Sequence, residues 1–176
     1  MGINNSIKAI FLDRDGVINQ PVIINGKPYP PKNINDLLLI DNIGRYLDEL
    51  KNKGFLLIMI TNQPDVARGK IRRADVENIN NYLKKYLGID DVFCCYHDDN
   101  DECDCRKPKP GMIVDAQKKW KINLKNSFLI GDRWKDVESG KSVGLRTFLI
   151  DYNYDEKFIE PTYRVKGFEE ILKIIK

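Results

Sequence analysis

Ala9-Ile10-Phe11-Leu12-Asp13-Arg14-Asp15-Gly16 runs four apolar residues straight into a charged turn. A short apolar run without polar alternation is what a parallel strand covered on both faces requires. Gly16 then lets the chain turn without a Cβ clash. The same form recurs along the chain: residues 55–60 are apolar and lead into Thr61-Asn62-Gln63, and residues 128–130 lead into Gly131-Asp132-Arg133-Trp134-Lys135-Asp136. Further strands are expected at 92–95 and 147–150. Ile43, Tyr46, Leu47 and Leu50 follow helical spacing and are closed by Gly54, while Val76, Ile79, Leu83 and Leu87 are closed by Gly88. Helices are also expected over 112–120, 135–143 and 168–175. Strands alternating with helices predict an α/β fold with a doubly wound, mainly parallel sheet.

At 176 residues the chain suits one domain, 1–176, with a core of its own. Its 42% apolar and 31% charged content is that of a soluble globular protein. The net charge of +3 is a small excess of 29 basic over 26 acidic residues. It implies no nucleic-acid partner but suits a small anionic ligand. No apolar stretch approaches membrane-spanning length and the start lacks a secretory signal, so a cytoplasmic monomer is expected. Met1-Gly2 followed by Ser6 fits a loose myristoylation pattern, which the missing basic anchor argues against. The Pro-rich stretch 20–32 is long for a βα connection and is expected to lie over the site.

In such sheets ligands sit beyond the carboxyl ends of the strands, where these polar segments fall. In an extended segment Asp13 and Asp15 face one way and Arg14 the other. Two adjacent carboxylates repel unless a cation sits near them, and Mg²⁺ with Asp132 as a third carboxylate would resolve this. The Thr61 hydroxyl and the Asn62 amide are expected to donate to a phosphate oxygen. Lys107, placed just before a helix, would balance the aspartates and the phosphate. Asp136 lies one helical turn beyond Asp132. Alone, each has an ordinary reading: solvated aspartates, a Thr-Asn strand end, a surface lysine, a first-turn carboxylate. Their order makes them a candidate phosphate site.

A second cluster holds three of the four cysteines and the only histidine. Cys95-x-His97 and Cys103-x-Cys105, in a loop at about 94–106, can supply four tetrahedral ligands to a structural Zn²⁺. Cys94 competes with Cys95 for one position. A disulfide is disfavoured in a reducing compartment and leaves the histidine unexplained.

Together these segments resemble the haloacid dehalogenase superfamily of phosphotransferases. Asp13-Arg14-Asp15-Gly16-Val17-Ile18-Asn19 is similar to its first motif, Thr61-Asn62-Gln63 to its second, Lys107 to its third, and Gly131-Asp132 with Asp136 to its fourth. The resemblance implies that Asp13 is a nucleophile forming an aspartyl-phosphate and Asp15 the general acid and base. It also implies that Mg²⁺ is held by Asp13, the Asp15 carbonyl and Asp132, with Asp136 in support, and that Thr61 and Lys107 steady the phosphoryl group.

The zinc loop running into Arg106-Lys107-Pro108-Lys109-Pro110-Gly111-Met112 resembles the capless, zinc-containing branch that includes heptose 1,7-bisphosphate and histidinol-phosphate phosphatases. This implies a sugar bisphosphate substrate, with Arg106 contacting it and histidinol phosphate as the runner-up. Pro64-Asp65-Val66 in place of Ser-Gly-Ile, and a longer segment 21–36, depart from that pattern and are expected to border the pocket. A receiver-type phosphoacceptor is the rival class, but it would place its Asp on a middle strand before Thr and Lys. A non-catalytic zinc-braced binding module is the other, although Asp13 and Asp15 are both present.

Overall fold

The computed structural model describes residues 7–24 and 27–176; the candidate myristoylation segment lies outside them. Six strands form the main sheet: β1 (Lys8–Leu12), β4 (Phe55–Asn62), β5 (Asp91–Cys95), β6 (Phe128–Gly131), β7 (Arg146–Ile150) and β8 (Tyr163–Val165). Their order is β5-β4-β1-β6-β7-β8 and every pairing is parallel. Strand alternation sorts the core onto two faces. Ile10, Leu12, Leu57, Met59 and Ile130 pack with α1 (Ile43–Asn52), α2 (Arg73–Tyr86) and α5 (Phe168–Ile174) through Leu47, Leu50, Ile79, Leu83 and Phe168. Ala9, Phe11, Ile58, Ile60 and Leu129 face α3 (Gly111–Trp120) through Met112, Ile113 and Ala116. The helix α4 (Trp134–Ser142) lies against β6 and β7. The doubly wound parallel sheet expected from the sequence is thus the observed one. No described helix is long and apolar enough to cross a membrane.

Three strands differ from the sequence reading. Within the stretch expected to be a loop, β2 (Val22–Ile24) and β3 (Lys27–Tyr29) pair as an antiparallel hairpin. Pro28 argues against a strand because it cannot donate to a ladder, yet a two-stranded ribbon tolerates it at an edge. The strand β8 is a three-residue edge strand, too short to carry a pattern. Between β1 and α1 the described residues add only the hairpin and a short 3₁₀ turn, Ile34–Asp36, so no large module covers the sheet end.

Candidate active site

At the carboxyl ends of β1, β4 and β6 lies a cavity of about 380 Å³, lined among others by Asp13, Asp15, Thr61, Lys107, Asp132 and Asp136. Pro21, Tyr29 and Pro30 of the hairpin segment line it too, as do Pro64 and Asp65, so both departures from the expected pattern border the pocket. Each buried run delivers its next residue to this rim. The Asp13 amide donates to the Ile130 carbonyl at 3.0 Å, tying the end of β1 to that of β6. Gly16 adopts φ +90°, and a Cβ there would come within 2.2 Å of Asp132 Oδ2. A Cβ on Gly131 would come within 2.2 Å of the Asp136 Cβ, so both glycines are required by close approach of the acidic side chains.

Lys107 is buried between two of these carboxylates. Its Nζ lies 2.9 Å from Asp13 Oδ1 and 2.6 Å from Asp136 Oδ1, and it donates to the Ile60 carbonyl at 3.1 Å. Burial alone would push this ammonium down, but Asp13 and Asp136 outweigh it and hold it above the ordinary lysine range. The carboxylates fare worse. Burial, and then the charge of Asp136, push Asp13 up to about 7. Burial, with the charges of Asp13 and Asp136, raises Asp132 well above its usual value. Oxygens of Asp13, Asp132 and Asp136 lie within 4.8 Å of one another, and Asp132 Oδ1 is buried with no hydrogen-bond partner. Three carboxylates against one ammonium leave two negative charges in a buried site. A hard divalent cation with oxygen ligands fits that donor set.

Asp15 is held separately, and by residues whose part the sequence did not reveal. Arg14 does not turn away from it. The guanidinium is fully buried, with Nη2 3.0 Å from Asp15 Oδ2 and Nη1 donating to Asn80 Oδ1 of α2 at 3.0 Å. The strand ends at Leu12, so strict alternation does not reach Arg14, and a buried arginine needs partners. Asn19 Nδ2 donates to Asp15 Oδ1 at 3.0 Å and Gln63 Nε2 to Oδ2 at 2.8 Å. Gln63 also donates to Thr61 Oγ1 at 2.9 Å, which leaves the threonine hydrogen to donate elsewhere. Replacing Arg14 by methionine would strand the Asn80 acceptor and leave Asp15 without its cation. A loss of about 3 kcal/mol in stability is expected, read from the midpoint of urea unfolding.

Asn62 lines the cavity and has a structural task that the sequence did not reveal. Its amide donates to the Lys107 carbonyl and accepts from the Lys107 N–H, both at 3.0 Å, so it splints the loop that carries the lysine. The backbone of a loop crossing a strand end has no ladder partner, and a primary amide satisfies both of its groups. Arg133 also lines the cavity, its Nε 2.6 Å from Glu156 Oε2. Tyr152 donates to the Gly16 carbonyl at 3.0 Å, so residues after β7 brace the acidic loops. Nothing in local sequence spacing links Glu156 or Tyr152 to the site.

Cys95, His97, Cys103 and Cys105 converge. Cys95 Sγ lies 3.7 Å from Cys103 Sγ, 3.1 Å from Cys105 Sγ and 3.6 Å from His97 Nδ1. Cys105 lies 3.5 Å from Cys103 and 3.3 Å from His97 Nδ1. A tetrahedral Zn²⁺ with Zn–S of about 2.3 Å sets its ligands about 3.7 Å apart, so this quartet suits one. Cys94, next on β5, instead lines a cleft with Asn80 and Tyr96, which decides between the two neighbouring thiols in favour of Cys95.

Residues 23–144 match the haloacid dehalogenase-like hydrolase family, a span holding Thr61, Lys107, Asp132 and Asp136 but beginning after Asp13 and Asp15. The chain belongs to this family of hydrolases. Relatives cover the missing part of the site. The hydrolase is 33% identical over 178 residues to D-glycero-beta-D-manno-heptose-1,7-bisphosphate 7-phosphatase of Helicobacter pylori, covering 98% of this chain and 99% of that protein. It is 33% identical to the D-glycero-alpha-D-manno-heptose-1,7-bisphosphate 7-phosphatase of Campylobacter jejuni, over 96% of both chains. A crystal structure of D,D-heptose 1,7-bisphosphate phosphatase from B. bronchiseptica, complexed with magnesium and phosphate, superposes with a TM-score of 0.82. At 24% identity it covers 96% of this chain and 98% of that one, and supports the fold.

Proposed function

We propose that this hydrolase is a Mg²⁺-dependent phosphomonoesterase that removes the 7-phosphate of a heptose 1,7-bisphosphate. One observation carries the chemistry: a carboxylate just after β1 paired with a buried lysine, beside two further carboxylates and a separately held Asp15. The named relatives, matched over nearly the whole chain, favour heptose bisphosphate over histidinol phosphate. Their names include both anomers, so a phosphate-release screen should compare the alpha and beta bisphosphates with histidinol phosphate. Release from a heptose bisphosphate is expected to exceed release from histidinol phosphate, and the reverse order would overturn the substrate.

In the proposed reaction Asp13 Oδ forms a bond to phosphorus as the ester P–O bond breaks. The leaving oxygen takes its proton from Asp15. Water then attacks phosphorus, gives a proton to Asp15, and displaces Asp13 as inorganic phosphate leaves. Thr61 donates its free hydroxyl hydrogen to the transferring oxygens, and the Lys107 charge beside Asp13 stabilises them. Mg²⁺ would be held by Asp13, Asp132 and the Asp15 carbonyl, with Asp136 in support, and would neutralise the phosphoryl charge when bound. The raised Asp13 and the orphaned Asp132 oxygen support a cation there.

Zn²⁺ on Cys95, His97, Cys103 and Cys105 would have no open position and so would brace the loop entering Arg106 and Lys107. Elemental analysis is expected to give about one zinc per chain, and Cys103→Ser should lower both that content and the melting temperature. Full zinc loss with an unchanged melting temperature would remove the bracing role.

A further inference from the structure

Beyond the reacting centre, the cavity rim carries cations from three elements: Arg68 after β4, Arg106 at the end of the zinc loop, and Lys135 in the first turn of α4. All three converge on two adjacent carboxylates. Arg68 sets Nε 2.8 Å from Asp98 Oδ2 with Nη2 on the other oxygen, and lies 3.7 Å from Asp99 Oδ2. Arg106 Nε is 2.8 Å from Asp99 Oδ1 and Lys135 Nζ is 3.8 Å from the same atom. The cations line the cavity, whereas Asp98 and Asp99 are not among its lining residues and stand behind them.

The backbone of the acidic pair and the Asp98 carboxylate are themselves fixed. The Asp98 amide donates to Asp101 Oδ2 at 2.6 Å, and the Asp99 amide to Asp98 Oδ1 at 2.8 Å, at the start of a 3₁₀ turn between His97 and Cys103. Arg68 also sets Nη1 3.4 Å from Asp65 Oδ1; a guanidinium has five donors, so one hydrogen on each Nη remains for a ligand. Long cationic side chains ordered before binding lose less entropy when an anion arrives.

We infer that Asp98 and Asp99 are positioning residues that hold Arg68 and Lys135 beside Arg106 as a receptor for a second phosphate of the substrate, away from the reacting one. This rests on the phosphatase reading above and adds to it the residues that distinguish a bisphosphate from a monophosphate. It also gives the zinc loop a second task, since its folding sets the rim as well as Lys107.

The test is steady-state kinetics of the purified, zinc-loaded enzyme on heptose 1,7-bisphosphate and on heptose 7-phosphate. Arg68→Gln and Asp99→Asn are each expected to raise KM for the bisphosphate about tenfold, with a smaller change in kcat. The loss in kcat/KM should be severalfold greater for the bisphosphate than for the monophosphate. Zinc content is measured in parallel, and Arg68→Gln, outside the zinc loop, stands if Asp99→Asn fails to fold. Equal losses on both substrates, or a fall in kcat with KM unmoved, would overturn the second-phosphate receptor while leaving the reaction as proposed. A wild-type enzyme that hydrolyses the monophosphate but not the bisphosphate would overturn both.

Discussion

Asp13→Asn is expected to lower phosphate release by on the order of 10⁴-fold or more in kcat, because no other group stands where the nucleophile does. The substitution is nearly isosteric. It removes one negative charge from a buried site where three carboxylates share a single ammonium. Lys107 keeps Asp136 at 2.6 Å, so no buried cation is orphaned. Unfolding by urea should therefore show stability held or slightly increased while activity vanishes, the separation expected where function is built on strain. Loss of activity together with unfolding would instead make Asp13 a structural residue.

Lys107→Met is expected to damage both properties. The ammonium is 3% exposed and bridges Asp13 and Asp136, so its loss leaves two buried carboxylates without their cation. Breaking such a pair costs about 3–5 kcal/mol in stability. Removing the preorganised charge beside the transferring oxygens costs roughly 10²–10³-fold in kcat. Arginine would not substitute, since its planar fork does not fit a position built for a compact point charge. Calorimetry and single-turnover kinetics on the same preparation separate the two losses. An active, fully stable Lys107→Met enzyme would contradict the charge arrangement described for the site.

The sheet was legible because its central strands are buried on both faces, which forces continuous apolar runs at residues 9–12, 55–60 and 128–130. Asp13, Thr61 and Asp132 were legible for the same reason, each being the first polar residue after its run. Lys107 and the Cys-x-His and Cys-x-Cys pairs stood out by local spacing. What escaped notice depends on long-range pairing. Arg14 reads as an outward residue in a strand, yet finds Asn80 on α2. Gln63 is given no separate role by the sequence, yet joins Thr61 to Asp15. Asn62 reads as a phosphate donor, and its splinting of the Lys107 backbone, 45 residues away, is not legible in the sequence. The hairpin and β8 are short, and their residues carry too few alternations to reveal a period.

The acidic stretch 98–102 is the least informative part of the sequence on its face, a run of solvated charge. In three dimensions it meets Arg68, Arg106 and Lys135 from behind, and so backs the cations of the cavity rim. That relation could not be read from spacing, because the three cations lie on separate elements.

The most direct measurement is to identify the residue that carries the phosphoryl group during turnover. Enzyme quenched while hydrolysing heptose 1,7-bisphosphate in Mg²⁺ is reduced with borohydride, which converts an aspartyl-phosphate to homoserine, and the peptides are analysed by mass spectrometry. Homoserine at position 13, absent in Asp13→Asn, is the predicted result. A modified residue elsewhere, or brisk turnover by Asp13→Asn with position 13 unlabelled, would contradict it.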